Sequence, residues 1–301
     1  MPNILVIGSS NTDMVVKTER FPQPGETLLG GDFFMFPGGK GANQAVAAAR
    51  MGAEVRFITK TGNDLFGRSS IEGYQKEGIL TDYCFTDPER ASGVALITVN
   101  SHGENEIVVA SGANATLSVA DLTTALPAFE AADIVLIQLE IPIETVQFAV
   151  QLAKSLGKRV ILNPAPAQEL PSAVFDQLFL ITPNETEAEL LTGIPAHSDA
   201  SLPLIAAALH EKGVQHVLIT LGARGAYLHH AGFAGIVPAQ KVEAVDTTAA
   251  GDVFNGCLAV FLAEDQDWIS AVAHANQAAG ISVTRMGAQT SAPHRVDGWT
   301  A

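Results

Sequence analysis

The chain has 301 residues, 47% hydrophobic and 16% charged, a globular composition with enough apolar surface for a sizeable core, which excludes an intrinsically disordered chain. Lysine and arginine number 17 against 32 aspartates and glutamates, and the formal charge of −15 argues against nucleic acid or an anionic membrane as the main partner. No apolar run reaches the length of a membrane span, and Met1-Pro2-Asn3 before Ile4-Leu5-Val6-Ile7 lacks the charged start and apolar length of a signal peptide, so a cytoplasmic protein is expected. Cys84 and Cys257, outside any CxxC or Cys/His cluster, read as reduced, buried or half-buried thiols.

In chain order, Ile4-Leu5-Val6-Ile7-Gly8 has the pattern of a strand buried on both faces of a parallel sheet. Ser9-Ser10-Asn11-Thr12-Asp13 follows as a polar turn. In an open parallel sheet Asn11 and Asp13 would stand beyond a strand's carboxyl end, where hydroxyl-rich ligands bind; a plain turn is the alternative. Residues 14–36 are punctuated by Pro22, Pro24, Gly25, Gly30 and Gly31, and alternation over 27–29 and 32–36 predicts short antiparallel strands. Alternation over 91–109, around Asn100-Ser101-His102-Gly103, predicts a hairpin in the same small sheet, serving as a lid or as a contact with another subunit.

Pro37-Gly38-Gly39-Lys40-Gly41-Ala42-Asn43-Gln44 precedes an alanine-rich helical stretch over 45–50. Its glycines fail the Walker spacing, because Gly41 rather than Ser or Thr follows Lys40, and no GxGxxG follows the first strand. What survives is a close-approach loop at a helix start, with Lys40 and Asn43 as donors, or else a flexible turn with a solvated lysine. Residues 54–59 and 133–139 read as buried strands, each followed by a helix, over 65–76 and over 142–156 with Pro142 in its first turn. Glu140 then lies on the ligand-binding edge, or is a cap or surface residue. Strands over 159–162 and 177–181 follow, the second running into Thr182-Pro183-Asn184-Glu185-Thr186-Glu187. Asn184 and Glu187, on one face of a first turn, suit water around Mg²⁺ or a phosphate, and helix capping equally.

Residues 215–220 give the next strand pattern, ending in Thr220-Leu221-Gly222-Ala223-Arg224-Gly225, where glycines let backbone pass close to a polyphosphate. A hairpin over 226–230 and 235–237 follows; His229-His230 reads as a solvated turn, and the histidines show no metal-ligand spacing. Val245-Asp246-Thr247-Thr248-Ala249-Ala250-Gly251-Asp252 reads as a loop feeding a helix N-terminus, where unpaired N–H groups and the helix dipole favour an anion. Beside a phosphate, Asp252 needs a role such as taking a proton from an attacking hydroxyl; otherwise it is a first-turn helix carboxylate. It is expected to be ionised at neutral pH without any special shift. The last helical region, 268–284, carries Asn276. No repeat or linker divides the chain, so one domain over 1–301 is expected.

Asn11, Asp13, Lys40, Glu140, Asn184, Thr220 and Asp252 all fall at strand ends or helix starts and would share one sheet edge. At these residues the chain resembles the ribokinase-like carbohydrate kinases. Gly38-Gly39-Lys40-Gly41-Ala42-Asn43-Gln44-Ala45 resembles that family's N-terminal signature, and Asp246-Thr247-Thr248-Ala249-Ala250-Gly251-Asp252 its C-terminal one. Asn163-Pro164-Ala165-Pro166, Thr182 to Glu187, Thr220-Leu221-Gly222 and Thr284-Arg285-Met286-Gly287-Ala288 also match in order and spacing, while Asn63 and Met286 depart from the pattern. The likeness covers nearly the whole chain.

The resemblance implies an α/β fold: a central, mostly parallel sheet flanked by helices, Rossmann-like, with a small β-sheet lid from segments about 14–36 and 91–109 that also joins a homodimer. It also leads to the expectation of a terminal helix beyond Trp299-Thr300-Ala301. The implied reaction is ATP-dependent phosphorylation of the 5-hydroxyl of D-ribose. Asn11, Asp13, Gly39, Lys40, Asn43 and Glu140 would hold the sugar, Asp252 would be the base, and Ala249, Ala250 and Gly251 the anion hole. Asn184, Glu187, Thr220, Gly222, Gly225, Gly251 and Asn276 would handle the nucleotide and its Mg²⁺. A monovalent cation, K⁺, would be held by Asp246 and Ser291 with backbone oxygens of Thr248, Ser282, Arg285 and Gly287. Competing readings are a sister kinase for 2-deoxyribose or a nucleoside, a sugar- or nucleotide-binding regulator without catalysis, and a dinucleotide-dependent oxidoreductase, which the missing glycine fingerprint disfavours.

Overall fold

A strand that is apolar at every position must bury both faces, and the first strand does so. In the computed structural model, which describes residues 1–295, Ile4 and Val6 join one hydrophobic core while Leu5 and Ile7 join a second on the opposite face. Residues 296–301, which include Trp299-Thr300-Ala301, lie outside the described residues.

The strands are β1 (Asn3–Ile7), β2 (Asn11–Lys17), β3 (Phe33–Gly38), β4 (Glu54–Gly62), β5 (Cys84–Asp87), β6 (Gly93–Val99), β7 (Asn105–Ala110), β8 (Ile134–Ile137), β9 (Arg159–Leu162), β10 (Leu180–Ile181), β11 (His216–Thr220), β12 (Ala226–His230) and β13 (Phe233–Val237). A nine-stranded sheet runs β13-β12-β11-β10-β9-β8-β1-β4-β5, parallel except for the antiparallel β11-β12-β13 edge. Helices such as Leu65–Lys76, Ile143–Ser155 and Leu202–Glu211 return the chain between parallel strands, as the alternation in the sequence predicts. A separate four-stranded sheet, β3-β2-β6-β7, gathers the two alternating segments. No described helix is long and apolar enough to cross a membrane.

Four expectations need correction. The polar run 9–13 is not a turn: β2 begins at Asn11 and is paired on both sides, antiparallel to β3 and parallel to β6, so ladder hydrogen bonds hold the backbone there extended. Residues 27–29 form no strand, in keeping with the preceding Pro22 and Pro24, which cannot donate to a ladder. Pro142 is the N-cap of its helix rather than part of its first turn. His229 and His230 lie on β12, not in a solvated turn. The His229 ring meets His210 with Nδ1 and Nε2 2.8 Å apart, and His230 stacks on Trp268 with centroids 5.3 Å apart, so ring contacts replace the water a turn would have offered.

The helix Lys40–Arg50 packs along the helix Ala250–Ala263 through small residues. A Cβ added to Gly256 would lie 2.5 Å from the Gln44 carbonyl oxygen, so glycine sets how closely the two helices approach. Arg50 closes the far end of this pair, donating to the carbonyls of Gln289 and Ala292 and pairing with Glu77.

Candidate active site

Asp252 sits in the first turn of the helix Ala250–Ala263 and is 6% exposed. Its Oδ2 accepts from Asn43 Nδ2 and its Oδ1 from Gln44 Nε2, both at 2.9 Å. Burial lifts Asp252 above the ordinary carboxylate range, against Lys40 and these two hydrogen bonds, which favour the ionised form. The expectation of an unshifted aspartate is therefore corrected: the carboxylate is too deeply desolvated to behave as one at a solvated helix end. The N-cap, Ala249, has φ 59° and contributes no side-chain hydrogen bond, so the first-turn N–H groups receive no side-chain cap.

Lys40 opens the other helix. Burial works against its charge, but the carboxylates of Asp252, Glu140, Glu187 and Asp13 hold its ammonium above the usual range. Glu140 Oε2 accepts from Ser9 Oγ at 2.5 Å and from the Lys40 backbone N–H at 3.1 Å, tying the segment after β8 to the helix start. Asp13 is pushed up to about 7 by burial, then by the neighbouring Glu140 and Asp252 carboxylates, with Lys40 opposing. Its carboxylate fits because residue 38 has no side chain: a Cβ on Gly38 would lie 2.3 Å from both Asp13 oxygens. Gly39 is the helix N-cap, with φ 90°. Lys40, the residue after it, is already helical, so the glycine-lysine loop is shorter than its sequence suggests.

Two cavities flank this centre. One, of about 550 Å³, is lined by Asn11, Ser111, Asn114, Glu140 and Gln168 among others. Asn11 is held there by Asn114, whose Nδ2 donates to Asn11 Oδ1 at 2.8 Å. The other, of about 690 Å³, is lined by Thr220, Gly222, Gly225, Ala250, Gly251 and Asn276 with alanine, valine and phenylalanine walls. Asn184 and Glu187 do not line it; they form a reciprocal capping box, Asn184 Oδ1 accepting from Glu187 N–H at 2.8 Å and Glu187 Oε2 from Asn184 N–H at 2.9 Å. Burial raises the Glu187 carboxyl, against the Asn184 N–H and Lys40, which lower it, with a smaller upward push from Asp252.

Of the residues expected at a cation site, Asp246, Thr248 and Gly287 come together, with Asp246 Oδ1 and Oδ2 accepting from the N–H groups of Thr248 and Gly287 at 2.9 Å. Burial would raise Asp246, but these bonds hold it below the ordinary range. The Ser282 carbonyl accepts from Arg285 N–H at 3.0 Å, and Ser291 Oγ donates to the Ala288 carbonyl at 2.7 Å. Two contributors were not singled out from sequence, Gln44 and Asn114. Gln44 stood within the quoted glycine-lysine stretch; Asn114 belongs to no motif.

A buried carboxylate thus sits in the first turn of a helix that has no side-chain cap, near two cavities with largely apolar walls, one of which also presents Asn11, Asn114, Glu140 and Gln168. Comparison with known proteins names the class. The model for "pfkB family carbohydrate kinase" matches residues 1–295. Ribokinase of Haemophilus influenzae is 44% identical over 292 residues, covering 97% of this chain and 95% of that protein. Deoxyribokinase of Salmonella typhimurium is 39% identical over 292 residues, with 97% and 95% covered. The structure of Arabidopsis thaliana ribokinase complexed with ribose and ATP matches with a TM-score of 0.89 at 33% identity, covering 98% of this chain and 96% of that one. The chain belongs to the pfkB family of carbohydrate kinases, and its activity is that of a sugar kinase.

The crowding of carboxylates has a measurable consequence. Asp13 has a folded-state value above its unfolded one, so the stability it contributes is complete below the unfolded value and is lost as pH rises through about 7. Asp13→Asn is therefore expected to raise the unfolding midpoint at about pH 8 and leave it nearly unchanged at about pH 4, as thermal unfolding at the two values would establish.

Proposed function

We propose that the chain phosphorylates D-ribose at its 5-hydroxyl, using ATP and giving ribose 5-phosphate and ADP. The observation that carries this reading is Asp252, buried next to Gly251 of the larger cavity and with one hydrogen bond on each oxygen. Asn11, Asp13, Gly39, Lys40, Asn43 and Glu140 hold the sugar; the buried Asn43 Oδ1, which has no partner, suits a donating hydroxyl. Asp252 takes the hydroxyl proton as the oxygen bonds to the γ-phosphorus and the bond to the ADP oxygen breaks. N–H groups of the Ala249-Ala250-Gly251 turn stabilise the charge on the transferred group. Raising Asp252 brings its proton affinity nearer the working pH. The nucleotide occupies the larger cavity, against Thr220, Gly222, Gly225, Gly251 and Asn276.

Mg²⁺ fits the donor set. Among the described residues no group of three or more His, Cys, Asp or Glu is arranged to hold a metal, and Mg²⁺ is ordinarily held by phosphates and water with few carboxylates. Glu187 and Asn184 would take such a water, and the ion would neutralise charge on the phosphates. K⁺ would be bound at Asp246 and Ser291 with carbonyls of Thr248, Ser282, Arg285 and Gly287, a reading supported by the way Asp246 bridges two of these backbone segments. The chain would work as one domain in the cytoplasm.

A second copy of the chain is the partner proposed for the lid. Strand register aligns Met35, Met14, Leu96 and Val108 across its outer face, and Phe33, Met35, Leu96 and Val108 are 58%, 55%, 52% and 67% exposed. 2-Deoxyribose remains the second reading, favoured by the deoxyribokinase relative.

ADP release is the test, measured over D-ribose, 2-deoxyribose, fructose and adenosine. Ribose is expected to give the highest kcat/KM; if deoxyribose leads, the second reading replaces the first, and if no sugar reacts the chemistry proposed here fails. Asp252→Asn is expected to lower kcat by about 10²- to 10⁴-fold while ribose still binds, and wild-type turnover would remove Asp252 as base. Potassium salts should support higher turnover than sodium salts at equal ionic strength; equal rates would count against the cation site. In sedimentation, Val108→Lys should shift a dimer toward monomer, and an unaltered profile would place any dimer contact elsewhere.

A further inference from the structure

Gln44 carries a neutral, fully buried carboxamide with every polar atom engaged inside the protein. Its Nε2 donates to Asp252 Oδ1 at 2.9 Å and to Asn163 Oδ1 at 3.0 Å, and its Oε1 accepts from Gln138 Nε2 at 2.5 Å. The chain of bonds continues. Asn163 Nδ2 donates to the Thr182 carbonyl at 3.1 Å, Thr182 Oγ1 to Asn255 Oδ1 at 2.6 Å, and Asn255 Nδ2 to the Gly251 carbonyl at 2.8 Å. Gln138, Asn163 and Thr182 are the residues immediately after β8, β9 and β10. The relay therefore leaves Asp252, crosses the ends of β9 and β10 and returns to the residue before Asp252, with Gln138 after β8 as a branch on Gln44.

We propose that Gln44 is a positioning residue for Asp252, its carboxamide fixed by Gln138 and Asn163 so that it sets the plane of the carboxylate and favours its ionised form. This rests on the reading of Asp252 as the base. Gln44 has no group left for a ligand, so its effect reaches the reaction through Asp252 alone. Asn43, the other donor to the carboxylate, keeps a free oxygen and is not equivalent. The charged groups around the carboxylate come from other positions: Lys40 on the same helix, Asp13 on β2, Glu140 after β8 and Glu187 on the helix Glu185–Thr192. Removing neutral Gln44 leaves all of them in place.

Gln44→Met keeps the unbranched shape and removes the polar atoms. With Mg·ATP saturating, kcat and KM for the sugar are measured from acid to alkaline pH in this variant, in Gln138→Met and in Asp252→Asn. Gln44→Met is expected to lose about 10- to 100-fold in kcat with KM changed less than about twofold, and its acid limb to move up by about one pH unit, the size of effect that one hydrogen bond to an ionised group supports. Gln138→Met should change both in the same sense and by less. A lower kcat with the acid limb unmoved, or a raised KM alone, overturns the proposal; if Gln44→Met does not fold, the same criterion applied to Gln138→Met decides. Asp252→Asn separates the two possible failures. If its residual activity keeps the wild-type acid limb, the assignment of the base falls; if the limb disappears there but stays put in Gln44→Met, only the positioning role falls.

Discussion

A carboxylate withdrawn from water must be given hydrogen bonds by the protein or lose its charge, and the centre of this molecule is built on that constraint. Asp252 is paired on both oxygens by consecutive residues of another helix, Asn43 and Gln44. Those donors arrive only because the two helices lie close together, and they lie close because Gly256 and the alanines between them leave nothing to hold them apart. A change in helix packing is thus a change in the electrostatics of the site.

The same centre concentrates negative charge. Asp13, Glu140, Glu187 and Asp252 surround one cation, Lys40, and Asp13 and Asp252 are both raised. Without ligands such an arrangement is less stable than neutral substitutes would be, and functional sites commonly accept that loss. It gathers carboxylates from four separate segments of the chain around a single lysine.

Topology brings the groups together. The smaller sheet follows the carboxyl end of β1 through β2, so Asn11 and Asp13 belong to a strand of that sheet. Thr220 at the end of β11, the turn Gly222–Gly225, the segment after β13 and the two C-terminal helices wall the other cavity.

Much of this was legible in the residues themselves. Continuous apolar runs such as Ile4-Leu5-Val6-Ile7 and Ile134-Val135-Leu136-Ile137 predict buried parallel strands, and alternation over 91–109 predicts the hairpin β6-β7, because period and burial are local properties of the sequence. The loop-to-helix transition at Ala249 is equally local. Pairings across long separations were not legible: Asn43 and Asp252 lie 209 positions apart, and Gln44 serves the same carboxylate only because both helices cover one face of the sheet. The histidines of β12 misled for a related reason, since a polar residue reads as solvated until the fold supplies Trp268 and His210 as neighbours. Sequence by itself determined the parallel strands with their crossover helices and the residue types able to do chemistry. Which of them share a carboxylate, a cavity or a charge was decided only by tertiary structure, because desolvation and hydrogen bonding depend on what surrounds a group in space.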